Sequence, residues 1–374
     1  MIYVGGIPFA TDESSRGTHT LISLMEHPIL VSASSSFKFL PERKFSASEA
    51  ESEASRKSKW VYIFQREYGT VDSALVDFVG TDEATTCVGL VIHNQKQGMT
   101  SVAHLDSPNV VDIGLSQMLS LFSDHDSDAM LDVHLIGGFD NTSSKNANLA
   151  NRSSAKLDGY SYSLCAKIIE TLRDRNEKFQ IHTLHVLQHN TRWDPDGTAL
   201  PIFSGFVVET STGSIIPASF DRTSRCPDEI VRRIRVTACY GDPNWDGRLL
   251  ETYDTKTDHF VIAPCTWSTH QLYIAMAIQE LSDAEILLRC STSPSAESPD
   301  FVENERRSRY LYDVPDFCKM SPYFQRDNGE FNVETVSLSR KCDYLIRHPL
   351  WRETFPNKQP RIFQRIEGGS WVKC

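Results

Sequence analysis

The sequence predicts a mixed α/β fold of the α+β kind, a layered sandwich with at least one antiparallel hairpin. Three observations predict it. Strand-like and helix-like periodicities follow one another along the chain. Two strand-like runs, VGLVIH (88–93) and MTSVAH (99–104), stand too close for a crossover helix and must pair antiparallel. The 374 residues are 40% apolar and 10% aromatic, enough for a sizeable core.

Taken in order, VYIFQRE (61–67) reads as a strand, and the hairpin follows. VVDIGLSQMLSLF (110–122) spaces Ile113, Leu115, Met118, Leu119 and Phe122 as a helix does. LDVHLIGGF (131–139) is a strand ending in Gly137 and Gly138, which permit a tight turn or a close approach. YSYSLCAKIIETLR (160–173) reads as a helix. HTLHVLQH (182–189) suits a strand, which splits its three histidines between faces and argues against a metal site. IFSGFVVET (202–210) and FVIAP (260–264) are strand-like. PDEIVRRIRVTAC (227–239) opens with Pro and two acids, as a helix start does, and places Arg232, Arg233 and Arg235 on a solvated face. Residues 46–58 are small, polar and charged and read as a flexible insertion; 142–155 and 291–300 read as loops.

Lys plus Arg number 38 and Asp plus Glu 49, a formal net charge of −11. That balance argues against a nucleic-acid partner. No apolar run reaches the roughly 18 residues of a membrane span, and the first residues do not read as a secretory signal. Nine cysteines, an odd count without an export signal, read as reduced thiols in the cytoplasm or nucleus, and none forms the CxxC of a zinc ribbon.

The segment that carries chemistry is GTDEATTCVGLVIHNQKQGMTSVAHLDSP (80–108). Closed through a four-residue loop at 94–97, the hairpin sets Cys87 opposite His104 on one face. Val88, Leu90, Ile92, Ala103 and Leu105 take the other face, and Gly89 keeps the surface beside the thiol open. A neighbouring imidazolium would stabilise a thiolate, and the same ring could donate a proton to departing ammonia. Thr81 is placed to orient the imidazole, with Asp82 as its competitor.

The run TDEATTCVGLVIH followed by AHLDSP resembles the eukaryotic protein N-terminal asparagine amidohydrolase family, the deamidases of the N-degron pathway. VYIFQRE, LDVHLIGGF, PASFDR (217–222), LLETYDTKTDHFVIAPCTW (249–267) and STSPSAESPDFVE (291–303) match in the same order, across roughly residues 59–310. The core is also similar to the bacterial chemotaxis-receptor deamidases. In that family a Thr, a Cys six residues later and a His seventeen beyond act as orienter, nucleophile and base. Thr81, Cys87 and His104 reproduce both intervals.

The resemblance implies a two-layer α/β sandwich with extra elements. Residues 1–314 would form one domain, with 315–374 packed on it as an extension that matches neither family. It implies hydrolysis of the side-chain amide of an N-terminal Asn to Asp and ammonia, through a Cys87 thioester and without metal or cofactor. Backbone N–H groups near Thr86 and Cys87 would hold the oxyanion. A carboxylate would meet the substrate's free α-ammonium, with Asp106 the first candidate and Asp82 and Glu67 the others. Substrates would be proteins or peptides with a free N-terminal Asn, the chain a monomer, and an arginyl-transferase would act downstream. A glutamine side-chain deamidase and a non-catalytic module binding protein N-termini stay open as alternatives.

Overall fold

The computed structural model describes residues 1–9, 17–46, 58–122, 129–140, 160–195, 199–240, 242–267, 269–279, 333–366 and 369–374. The insertion expected within 46–58, the loops at 142–155 and 291–300, and the boundary expected at 314–315 fall largely or wholly outside them.

Two compact units are present. The first comprises Met1–Pro227, Gly247–Ile262 and Ile362–Cys374, the second Asp228–Asp246 and Ala263–Arg361. In the first unit the strands are β1 (Ile2–Val4), β2 (Ile7–Pro8), β3 (Arg43–Phe45), β4 (Trp60–Tyr62) and β5 (Glu67–Asp72). They continue with β6 (Phe78–Thr81), β7 (Val88–Asn94), β8 (Met99–Leu105), β9 (Met130–Phe139) and β10 (Lys178–Leu187). After a small β11 (Thr191–Trp193) and β12 (Ala199–Pro201) hairpin come β13 (Phe206–Glu209), β14 (Ile215–Phe220) and β15 (Leu250–Glu251). Helices α1 (Gly17–Met25), α2 (Pro28–Lys38), α3 (Val111–Leu119) and α4 (Tyr160–Asp174) accompany them.

The large sheet runs β15-β5-β8-β7-β9-β10-β1-β2. β5, β8, β7 and β9 pair antiparallel, whereas β9 and β10 pair parallel, with α4 as the crossover that parallel neighbours require. One face of this sheet is oily. Val88, Leu90, Ile92, Ala103 and Leu105 join Leu21 and Leu24 of α1, Val111, Leu115 and Met118 of α3, and Leu164, Ile168, Ile169 and Leu172 of α4 in one buried cluster. The α4 residues recur at helical spacing, which is what a single buried stripe demands.

The other face meets a second sheet, ordered β3-β14-β13-β6-β4. A Cβ built on Gly89 would lie 2.1 Å from a ring carbon of Phe206, so the two sheets touch there. The first unit therefore has three layers, helices and two sheets, where two were expected. Gly89 does not hold the surface open; it makes room for the fully buried Phe206 ring. Gly89→Ala is expected to destabilise the protein by about 1–3 kcal/mol, because the ring has nowhere to retreat. A thermal melt of the variant measures this, and an unshifted midpoint would show that the layers yield.

Two further expectations need correction. The run 61–67 is not one strand. Arg66 takes a left-handed φ of 62° and turns the chain, so β4 joins the second sheet and β5 the first. The hairpin register also differs. Asn94 pairs with Met99, the loop is 95–98, and Gly89 rather than Cys87 stands opposite His104. The Asn94 side chain accepts from the Lys96 and Gln97 N–H groups and Gly98 supplies a φ of 66°, so the turn begins one residue later than expected. That shift moves each partner by two positions, which leaves both faces as expected.

The C-terminal strands Arg361–Arg365 and Trp371–Lys373 form a further sheet with Tyr253–Asp254 and His259–Ile262. In the second unit, α5 (Glu229–Cys239) is enclosed on most sides, and Arg232 and Arg235 are fully buried rather than solvated. Periodicity marked this helix but could not show how many of its faces are covered. Arg233 pairs with Glu229 at 3.1 Å, one turn back. Trp267 is buried in the same unit, its indole N–H donating to the Pro349 carbonyl at 3.2 Å.

Candidate active site

The second sheet delivers Thr81 at the end of β6, and the large sheet delivers His104 from β8. Both side chains are buried, and Thr81 Oγ1 lies 2.8 Å from His104 Nδ1. The Thr81 hydroxyl also lies 3.4 Å from the Asp82 carbonyl, which can only accept. With the hydroxyl proton directed there, Oγ1 receives the Nδ1–H of the ring. Nε2 then carries the bare lone pair on the ring's far side. That nitrogen is buried and has no hydrogen-bond partner among the described residues. Burial pulls the His104 pKa down to about 4, against the opposing charges of Glu83 and Glu67. At neutral pH the ring is an uncharged base.

Cys87 immediately precedes β7, its thiol buried and in no disulfide. It shares the face of Gly89, whose partner is His104. Cys87 and His104 are thus diagonal neighbours, a relation whose backbone spacing of about 7–8 Å side chains can span. The chain between Thr81 and Cys87 crosses from one sheet to the other and is fastened along its length. Ala84 N–H donates to the Ser204 carbonyl at 2.7 Å, and the Thr85 carbonyl accepts from Phe139 N–H at 3.2 Å. Ser161 Oγ donates to the Thr86 carbonyl at 3.1 Å, and Gly138 N–H to the Cys87 carbonyl at 2.7 Å. Gly137 comes so close that its Cβ would stand 2.8 Å from the Ala84 and Cys87 oxygens, at a φ of 108°. In a trans peptide the N–H points opposite to its C=O. The Thr86 and Cys87 N–H groups are therefore directed away from Phe139 and Ser161. Thr86, whose side chain is itself buried, enters the site through this backbone.

The comparisons with known proteins bear on this arrangement. Residues 50–333 match the family model described as protein N-terminal asparagine amidohydrolase. A curated Arabidopsis thaliana protein of that name is 50% identical over 381 aligned residues, covering 100% of both chains. Mouse and pig proteins of the same name are each 30% identical over 251 residues, covering 66% of this chain and 72% of theirs. The chain belongs to the protein N-terminal asparagine amidohydrolase family. The family likeness reaches further than expected, because the alignment with the Arabidopsis amidohydrolase includes the tail beyond 315. Among the described residues no helix is long and apolar enough to cross a membrane.

The carboxylates expected around an amidohydrolase substrate are placed very differently from one another. Asp82 is occupied: Oδ1 accepts from the Tyr62 hydroxyl at 2.6 Å, and Oδ2 from Phe220 N–H at 2.8 Å and the Arg225 guanidinium at 2.9 Å. Burial pushes its pKa up and the Arg225 charge pulls it back. It does not reach the imidazole, whose Nδ1 is taken by Thr81. Glu67 is fully buried and accepts from Phe64 N–H at 2.9 Å. Asp106 is buried, two residues beyond His104 at the end of β8. The three histidines of 182–189 take different partners: His182 bonds Asp132, His185 bonds Ser34, and His189 bonds the Leu184 carbonyl. Glu83 was missed by sequence reasoning. It lies between Thr81 and Cys87, pairs with Arg225, and adopts a left-handed φ of 62°. The adjacent acids Asp82 and Glu83 were the available signal.

Proposed function

We propose that this chain hydrolyses the side-chain amide of an N-terminal Asn, yielding N-terminal Asp and ammonia. One observation carries the reading: in a chain with 50% identity to a named amidohydrolase along its whole length, Thr81 holds a neutral His104 on the face that also carries Cys87. Nε2 takes the Cys87 proton as sulfur attacks the carboxamide carbon. The Thr86 and Cys87 N–H groups receive the oxyanion, as their fastened carbonyls dispose them to. His104 returns the proton to the nitrogen, the C–N bond breaks, and ammonia leaves a thioester. Water, deprotonated by the same ring, cleaves the thioester to the Asp carboxylate and restores the thiol. Because burial keeps the resting ring neutral, proton transfer accompanies attack and no standing imidazolium–thiolate pair is needed.

The product terminus suits a downstream arginyl-transferase, and we place the chain in the cytoplasm and nucleus as a monomer. The odd count of nine cysteines supports a reducing compartment, and the net charge of −11 argues against a nucleic-acid partner. Incubation with an Asn-initiated peptide, with ammonia and product mass as readouts, tests the activity. No ammonia from any Asn-initiated peptide would end the proposal.

Thr81→Val removes the hydroxyl while keeping the shape. A hydrogen bond of this kind is worth about 1–2 kcal/mol, so turnover should fall about 5- to 30-fold. Thr81→Ser should stay close to wild type. Equal rates for Val and Ser, measured as kcat on an Asn peptide, would remove Thr81 from the mechanism.

A further inference from the structure

A thiol and an imidazole do not by themselves tell Asn from Gln, because both side chains offer the same carboxamide. The difference is one methylene, and it is read by whatever closes the space beyond Cys87. Four residues frame that space. Thr81 and Phe206 are directly paired across β6 and β13. Gly89 and His104 are directly paired across β7 and β8. Side chains paired in this way share a face, their Cβ atoms about 4.5–5.5 Å apart. Thr81 Oγ1 meets His104 Nδ1 at 2.8 Å, and the Phe206 ring occupies the place that a Cβ on Gly89 would take. The two pairs therefore face each other across the layers, and the Phe206 ring is fixed beside the imidazole.

Cys87 stands two residues before Gly89, on the same face and at the start of β7. Exposure along this face falls from 8% at Cys87 to 0% at Val91, and Phe206 is fully buried. A side chain that enters from solvent meets sulfur first and the Phe206 ring behind it. The ring is held in place from several directions. Ile136, paired with Gly89 on the side away from His104, is fully buried on the same face. Gly80 lets the β6 backbone lie close against Phe206, where a Cβ would stand 2.9 Å from the neighbouring Val207 Cα. In an interior packed this densely the ring does not retreat from a pressing group.

We propose that the Phe206 ring is the floor of the amide pocket and the specificity-determining residue that admits Asn and excludes Gln. The proposal rests on the amidohydrolase reading for the placement of the carboxamide at Cys87. With the substrate's first residue held at the mouth, the amide carbon of Asn reaches sulfur. That of Gln, one bond of about 1.5 Å further on, is driven against the ring. Hydrogen bonds and charge are the same for the two amides, so a rigid wall makes the distinction.

The test is a binding measurement, so that it does not depend on turnover. In a Cys87→Ala background, calorimetry compares an Asn-initiated peptide with a Gln-initiated peptide of otherwise identical sequence. The parent is expected to bind the Asn peptide at least about tenfold more tightly. Adding Phe206→Leu, which draws the floor back, should bring the two affinities within about threefold, chiefly by tightening the Gln peptide. A merely structural role would weaken both peptides together and keep their ratio. That result, or no preference in the parent, would overturn the proposal. Should Phe206→Leu unfold, Phe206→Met reads the same ratio with a flexible side chain that fills the core. A reduced preference there supports the floor, and a full preference counts against it. A protein whose preference for Asn depends on Phe206, yet which releases no ammonia, would sink the amidohydrolase reading and leave this inference standing.

Discussion

Cys87→Ala is expected to lower ammonia release from an Asn-initiated peptide by at least about 10⁴-fold, the scale on which losing a nucleophile acts. Among the described residues, the neighbouring hydroxyls do not replace it. Thr81 spends its hydroxyl on His104 and the Asp82 carbonyl. Ser161 directs its hydroxyl to the Thr86 carbonyl and is fully buried. The fold should tolerate the change. Cys87 carries no strand pairing of its own, and its backbone bond to Gly138 does not involve the sulfur. Circular dichroism should match wild type. Ammonia release that survives the substitution would disprove the nucleophile while leaving the family assignment untouched.

His104→Gln is expected to cost about 10²–10⁴ in kcat, the usual contribution of a positioned acid–base group. Its pH behaviour separates this ring from an ordinary histidine. With a pKa near 4, the ring is already an uncharged base at pH 5.5. A ring titrating at about 6.5 would by then have lost roughly tenfold of its base form. Wild-type kcat/KM should therefore hold between pH 7.5 and 5.5 as far as this group is concerned. Stability follows the opposite limb. Between about 6.5 and 4 the unfolded chain binds a proton that the buried ring refuses, so stability falls as the solution is acidified through that window. His104→Gln should flatten that decline, and melting curves at pH 7, 6 and 5 measure it. A tenfold loss of kcat/KM by pH 5.5 that vanishes in no other histidine variant would show that the ring titrates normally.

The sequence carried the parts of this site that alternation controls. Cys87, Gly89 and His104 share a face because a strand repeats every second residue, and a register error of two positions did not disturb that. What stayed hidden depends on backbone signs and enclosure. Arg66 and Glu83 both take left-handed φ angles that their side chains do not advertise, so the sheet change after β4 and the aim of Glu83 could not be read. Nothing in RRIR distinguishes a guanidinium that faces water from one sealed inside, as Arg232 and Arg235 are. The Phe206–Gly89 contact joins residues more than a hundred positions apart, a pairing that no local pattern encodes.

Thr81 and His104 hang from different sheets, and their bond is the stitch between them. Any sliding of one layer over the other cuts that stitch before either layer frays. Mild denaturant should therefore silence the enzyme at concentrations where its circular dichroism is still native.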